Sequence, residues 1–210
     1  MDRKNWRKRI SRRSDFTSGV IHLTRSNIIN GQRYSAIDIL MKILIERKLM
    51  GSTTRTGYIN GNVHSVCFQD IPLYSVAENI YYEQKLKNDN NRDNYRYTGC
   101  GLRFSKEYIF KRGGRPVIYD IKEDAKKYLN DEDYWRIVNF DLTNENNFID
   151  WTHEREWRLA GDLDFELSEV EVLIHDNKSY KKFIKKCREY KEVDILLEIK
   201  SIITMPSILF

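Results

Sequence analysis

The chain has 210 residues, 40% hydrophobic, 12% aromatic and 32% charged, with a formal net charge of +5 and a mean hydropathy of −0.64. That length suits one sizeable core, and the charge content, with no apolar run of membrane-span length, argues against a membrane protein. Cys67, Cys100 and Cys187 are few, odd in number and far apart, which fits neither a disulfide framework nor a zinc motif and leads us to expect a reduced, cytoplasmic setting.

The opening MDRKNWRKRISRRSDF is basic but has no apolar segment behind it, so it is not a secretory signal. Residues 1–13 hold Arg3, Lys4, Arg7, Lys8, Arg9, Arg12 and Arg13 against Asp2, a local +6 that leaves the remainder at −1. The basicity belongs to an arm, taken as residues 1–16, and not to the single domain expected over 17–210. With Trp6 inside it, the arm suits nucleic-acid phosphates; it equally suits a solvated tail or an acidic partner.

SGVIHLT (Ser18–Thr24) reads as a strand, with His22 and Thr24 on one face and Ile21 and Leu23 on the other. SAIDILMKILIERKLMG reads as a helix: Ser35 caps it with Asp38 in the first turn, Ile37, Leu40, Met41 and Leu44 recur at helical spacing, and Gly51 stands past its end. VHSVCF (Val63–Phe68) reads as a strand. The helix QDIPLYSVAENIYYEQKLK follows, with Asp70 as cap, Pro72 in its first turn and Val76, Ile80 and Tyr81 on one apolar face. KNDNNRDNYRYTG is the expected surface loop. Strands are then expected at GLRFS (Gly101–Ser105), RPVIYD (Arg115–Asp120), WRIVNFD (Trp135–Asp141), EREWRLAG and VEVLIHD (Val170–Asp176), before a Lys-rich helix NKSYKKFIKKCREY and a closing strand in SIITMPSILF. Helices early and strands late make an α+β pattern, not a doubly wound sheet.

The sequence has no GxGxxG, GxxxxGK[ST] or GxSxG. KRGGRP (Lys111–Pro116) has glycines and cations for a phosphate, but a turn uses the same residues and is the favoured reading. His22, His64, His153 and His175 form no metal-ligand spacing, so no metal is expected. In THEREWR, strand alternation sets Glu154 and Glu156 side by side with Arg158 next along, and two such acids need a cation, a hydrogen-bonded ligand or a raised pKa. Spacing leaves two readings open: an ion-paired structural strand, or a site. His22 alone is likewise a satisfied half-buried histidine or a functional one.

Taken together, the early H-x-T, the helix after it, SVCFQDIPL, GLRF, RPVIY and W-x-x-E-R-E-W-R resemble bacterial abortive phage resistance proteins of the AbiGi type, over about Val20 to Asp176. More distantly, the layout resembles the ADP-ribosyltransferase fold, a split β-sheet with helices packed early in the chain that binds NAD⁺ in its cleft. That resemblance implies a site in which His22 meets a ribose hydroxyl beside Thr24 and Arg158. Glu156 would hold the 2′-hydroxyl of the nicotinamide ribose, and Glu154 would face the acceptor, a nucleic acid or a protein. The stacking shelf would have to come from Tyr74, Tyr81 or Tyr82, which fall in a helix. A carboxylate beside an oxocarbenium-like ribose stabilises the transition state more than the ground state, so Glu156→Gln would fold and lose roughly 10²–10³ in rate. The alternative is a non-catalytic antitoxin or sensor that binds a partner protein, a nucleotide or nucleic acid.

Overall fold

The computed structural model describes residues 1–52, 55, 58–90 and 98–209, without the side chains of 86–90 and 209. In chain order the elements are α1 (Arg3–Ile10), β1 (Gly19–Thr24), β2 (Asn27–Ile29), β3 (Gln32–Tyr34), α2 (Ala36–Glu46), β4 (Lys48–Leu49), β5 (Ser65–Gln69) and α3 (Leu73–Asn90). Then follow β6 (Cys100–Ser105), α4 (Lys106–Lys111), β7 (Arg115–Pro116), β8 (Ile118–Asp120), α5 (Lys122–Tyr128), β9 (Ile137–Asn139), β10 (Glu156–Ala160) and β11 (Leu163–Asp164). The chain closes with β12 (Glu171–Ile174), α6 (Asn177–Glu189), α7 (Ile195–Glu198), β13 (Ser201–Thr204) and α8 (Pro206–Leu209). Helix and strand are mixed, as expected for an α+β chain. A single-domain α+β fold fits this arrangement, and its contacts cluster into two compact units, each built from separate stretches of sequence.

The first unit comprises 1–47, 71–104 and 165–210. Its strands run β13-β12-β6-β1, with β12 parallel to β13 and antiparallel to β6. Alternation along β1 works as the sequence requires: Ile21 and Leu23 pack into an apolar cluster with Ile71, Val76, Ala77, Ile80, Leu173 and Met205. β6 approaches β1 so closely that a Cβ on Gly101 would run into the His22 carbonyl, which is why glycine stands there.

α2 has the capping box read from the sequence, Ser35 with Asp38, and buries Ile37, Leu40, Met41 and Leu44. It ends earlier than expected. Arg47 takes a left-handed conformation (φ 51°) and closes the helix, and Leu49 is then buried in β4, so Gly51 is not its terminator. Two features of α3 also differ from expectation. Asp70 gives its carboxylate to other partners instead of capping, and Tyr81 is 58% exposed while Val76, Ala77 and Ile80 form the buried face. The helix continues through Asn90, into the stretch expected as a loop; residues 91–97 of that stretch lie outside the described residues.

The second unit comprises 48–70 and 105–164. Its strands run β5-β10-β7, antiparallel throughout, with the pairs β4-β11 and β8-β9 beside them. Two expected strands are shorter than read. RPVIYD is broken at Val117 into β7 and β8, and the start of WRIVNFD belongs to a 3₁₀ turn over Asp131–Arg136 that buries Trp135 before β9 begins. KRGGRP is the turn ending α4: Gly113 has φ 99° and the Gly114 amide donates to the Ile109 carbonyl over 2.8 Å.

Candidate functional site

The segment EREWR straddles a corner. Thr152–Glu154 form a 3₁₀ turn, Arg155 is left-handed with φ 46°, and the strand begins only at Glu156. This corrects the expectation that Glu154 and Glu156 share a strand face: the left-handed residue between them breaks the alternation. Glu156 and Arg158 do share one. Arg158 Nε donates to Glu156 Oε1 over 2.8 Å and Nη2 to Oε2 over 3.2 Å. The other guanidinium hydrogens go to the carbonyls of Trp135 (2.7 Å), Ile137 (3.1 Å) and Tyr58 (3.2 Å). All five Arg158 donors are therefore matched, and the side chains are only 4% and 10% exposed.

Charge governs the surroundings of this pair. Burial works to lower the Arg158 pKa, but the Glu156 carboxylate outweighs it and the net shift is upward. Across the ladder, Cys67 opposes Arg158; burial first, and then Glu156, pushes its thiol well above the ordinary range. The Glu156 amide donates to the Tyr119 hydroxyl over 2.8 Å, and burial pushes that phenol up to about 12. Neither group is an activated nucleophile at neutral pH.

On the other side of β10 lies a cluster that reading the sequence did not find. Trp157 Nε1 donates to Asp70 Oδ2 over 3.2 Å, and Lys106 Nζ stands 2.6 Å from Asp70 Oδ1, with both charged side chains nearly buried. Burial raises the Asp70 pKa despite Lys106 and Arg155. The available signal was partial: Asp70 and Trp157 belong to the quoted motifs SVCFQDIPL and EREWR, whereas Lys106 stands just past GLRFS. As the cluster stands, it joins the end of β5 to the starts of α4 and β10.

His22 and Thr24 belong to the first unit and the acidic segment to the second. His22 is half-buried in β1. Thr24 is 3% exposed, with its hydroxyl within 3.2 Å of the carbonyls of Ala36 and Cys100, and its backbone carbonyl accepts from the Thr98 hydroxyl. Tyr74, Tyr81 and Tyr82 are exposed on α3.

The basic arm is helical over Arg3–Ile10, with Arg12 and Arg13 beyond the helix end. Asp2 caps α1 by accepting from the Asn5 amide over 2.8 Å, and Arg7, Lys8 and Arg9 occupy the last turn, where the helix dipole favours cations. All seven basic residues of 1–13 are exposed, while Trp6 and Ile10 are half-buried. Arg13 pairs with Asp15 at 2.6 Å.

Among the described residues no group of three or more His, Cys, Asp or Glu is placed to hold a metal, and no helix is long and apolar enough to cross a membrane. Comparison with family models, curated proteins and solved structures finds no match.

Proposed function

We propose that this chain is a non-catalytic binding module, of the antitoxin or sensor kind suggested by its resemblance to AbiGi-type phage-defence proteins, and that its ligand is a nucleic-acid backbone held by α1. The observation that carries this reading is that both oxygens of Glu156 are taken by a buried, fully bonded Arg158. Stabilising an oxocarbenium-like ribose needs net negative charge beside it. A carboxylate matched by a guanidinium presents a pair that is close to neutral. Freeing it would strip a buried arginine of its counter-charge, which is costly. Glu154, assigned to the acceptor by resemblance, stands outside the strand.

The ligand class follows from the arm. Residues 3–13 carry seven exposed cations, in α1 and just after it, a charge density that suits a polyphosphate, where each neutralised phosphate releases counterions. The test pairs two measurements on the full chain: nicotinamide release from NAD⁺, and binding of labelled DNA and RNA across a NaCl series. The expected result is no release above the blank, with binding that weakens as salt rises. Nicotinamide release that disappears in a folded Glu156→Gln variant would instead assign an NAD⁺-consuming transferase or glycohydrolase, with NAD⁺ as substrate.

A further inference from the structure

The basicity of the first unit is concentrated in two helical segments. The unit carries a net +8, of which residues 1–13 contribute +6 and α6 contributes +5, so the rest of it is acidic at −3; the second unit is also −3. α6 has six cations and one acid, Glu189, and the cations divide into two sets.

Lys182 and Lys186 are structural. They bind the Asp38 carboxylate at 2.9 and 3.0 Å, and Lys182 also donates to the Ser35 hydroxyl over 2.7 Å, so both secure the start of α2. Lys178, Lys181, Lys185 and Arg188 recur at i, i+3, i+7 and i+10. At 3.6 residues per turn they fall within an arc of about 80°, along about 15 Å of helix. The buried residues of α6, Phe183 and Cys187, lie on the opposite side, and Cys187 packs on Met41 of α2. The stripe therefore faces solvent, and all four residues are exposed. Among the described residues, Lys178, Lys181 and Arg188 form no ion pair. Lys185 meets Glu189 at 3.7 Å, in an exposed pair that water readily replaces. Tyr180 and Ile184 lie next to the stripe on α6 and add apolar surface beside Lys181, Lys185 and Arg188.

We infer that this stripe of α6 is a second phosphate-contact surface, which tracks a nucleic-acid backbone in addition to the contact made by α1. The inference rests on the nucleic-acid reading above and extends it to a separate element. Charge density favours a nucleic acid: one strand presents a phosphate for about every 3.4 Å of duplex axis, so about 15 Å of stripe spans about four charges. The flanking tyrosine and isoleucine suit sugars and bases, which a purely acidic polypeptide lacks.

The experiment uses the full chain and its Lys178→Gln/Lys181→Gln/Lys185→Gln/Arg188→Gln variant, which leaves Lys182 and Lys186 on Asp38. Binding to duplex DNA, single-stranded DNA and RNA of one length is followed by fluorescence anisotropy over a range of NaCl concentrations, and circular dichroism confirms the fold. The expected result is a slope of log Kobs against log salt that is shallower by about 3 to 4 in the variant. An unchanged slope in a variant that still binds overturns the α6 contact and leaves the α1 reading intact. A parent that binds none of the probes overturns both, as does equal binding to polyglutamate of matched charge.

Discussion

Substituting Glu156 by Gln separates a structural from a chemical role for the acid in EREWR. Gln keeps the shape and one acceptor, so the contact to Arg158 Nε survives, but its amide nitrogen then faces Nη2, donor against donor. Arg158 retains the carbonyls of Trp135, Ile137 and Tyr58 and loses its only bonded counter-charge at a site where its side chain is 4% exposed. Breaking a buried pair from one side typically costs about 3–5 kcal/mol. The surviving bonds place this variant near the lower end, about 3 kcal/mol, which for a chain of this size corresponds to a fall in Tm of about 6–12 °C. Thermal and urea unfolding by circular dichroism measure it, with Arg158→Met and the double variant completing a cycle. The double variant should lose less than the sum of the singles, because neither charge is then left alone. A Glu156→Gln protein that melts with the parent would refute the structural role.

Further outcomes follow from the same geometry. Asp38 is held well below the usual carboxylate range: burial raises its pKa, but the Ser35 hydroxyl, Lys182 and Lys186 together outweigh it. A depressed folded pKa gives stability that is full above the unfolded value of about 4 and is lost as pH falls toward the folded value. Asp38→Ala should therefore cost about 1 kcal/mol at neutral pH by removing its half of the capping box with Ser35, and the gap to the parent in urea midpoint should narrow in acid; a gap that is constant with pH would contradict this. None of the three cysteines is in a disulfide, and burial pushes the thiols of Cys100 and Cys187 up to about 11 and that of Cys67 higher still. The native protein should thus react with a disulfide reagent far more slowly at about pH 8 than the urea-unfolded chain, whose thiols titrate near 8.5; equal rates would show that a thiol is accessible. Gly101→Ala should cost about 1–3 kcal/mol, the usual range for overpacking, because its Cβ meets the His22 carbonyl of β1. A neutral effect in urea unfolding would place β1 and β6 further apart.

Local chemistry carried much of the fold into the sequence. Ser35 with Asp38 announced the start of α2, alternation along β1 set Ile21 and Leu23 together on one face, which packs into an apolar cluster, and the late Lys-rich helix lies where its pattern put it. What local pattern missed was decided at longer range. Arg47 and Arg155 adopt left-handed conformations that their residue type does not advertise, and these two positions end α2 early and remove Glu154 from its strand. Asp70 has the chemistry of a cap but is claimed by Lys106 and Trp157, 36 and 87 positions away. In the candidate site, the Glu156–Arg158 neighbourhood was legible from i, i+2 spacing. The three carbonyls that complete Arg158 were not, because they come from two other stretches of chain. The division of the α6 lysines into a set bound to Asp38 and an exposed set was likewise invisible until α2 and α6 were seen packed together.

The most direct test of the central claim, that the basic arm formed by α1 and the residues just after it grips a nucleic-acid backbone, is the salt dependence of binding to an arbitrary-sequence duplex of about 20 base pairs. The parent chain is compared with a variant carrying Lys4→Gln, Lys8→Gln, Arg9→Gln and Arg12→Gln. The account predicts that the parent binds, that its log Kobs falls steeply and linearly with log salt, and that the variant's slope is shallower by about 3 to 4. Parent binding that is indifferent to salt, or identical slopes for the two proteins, would contradict it.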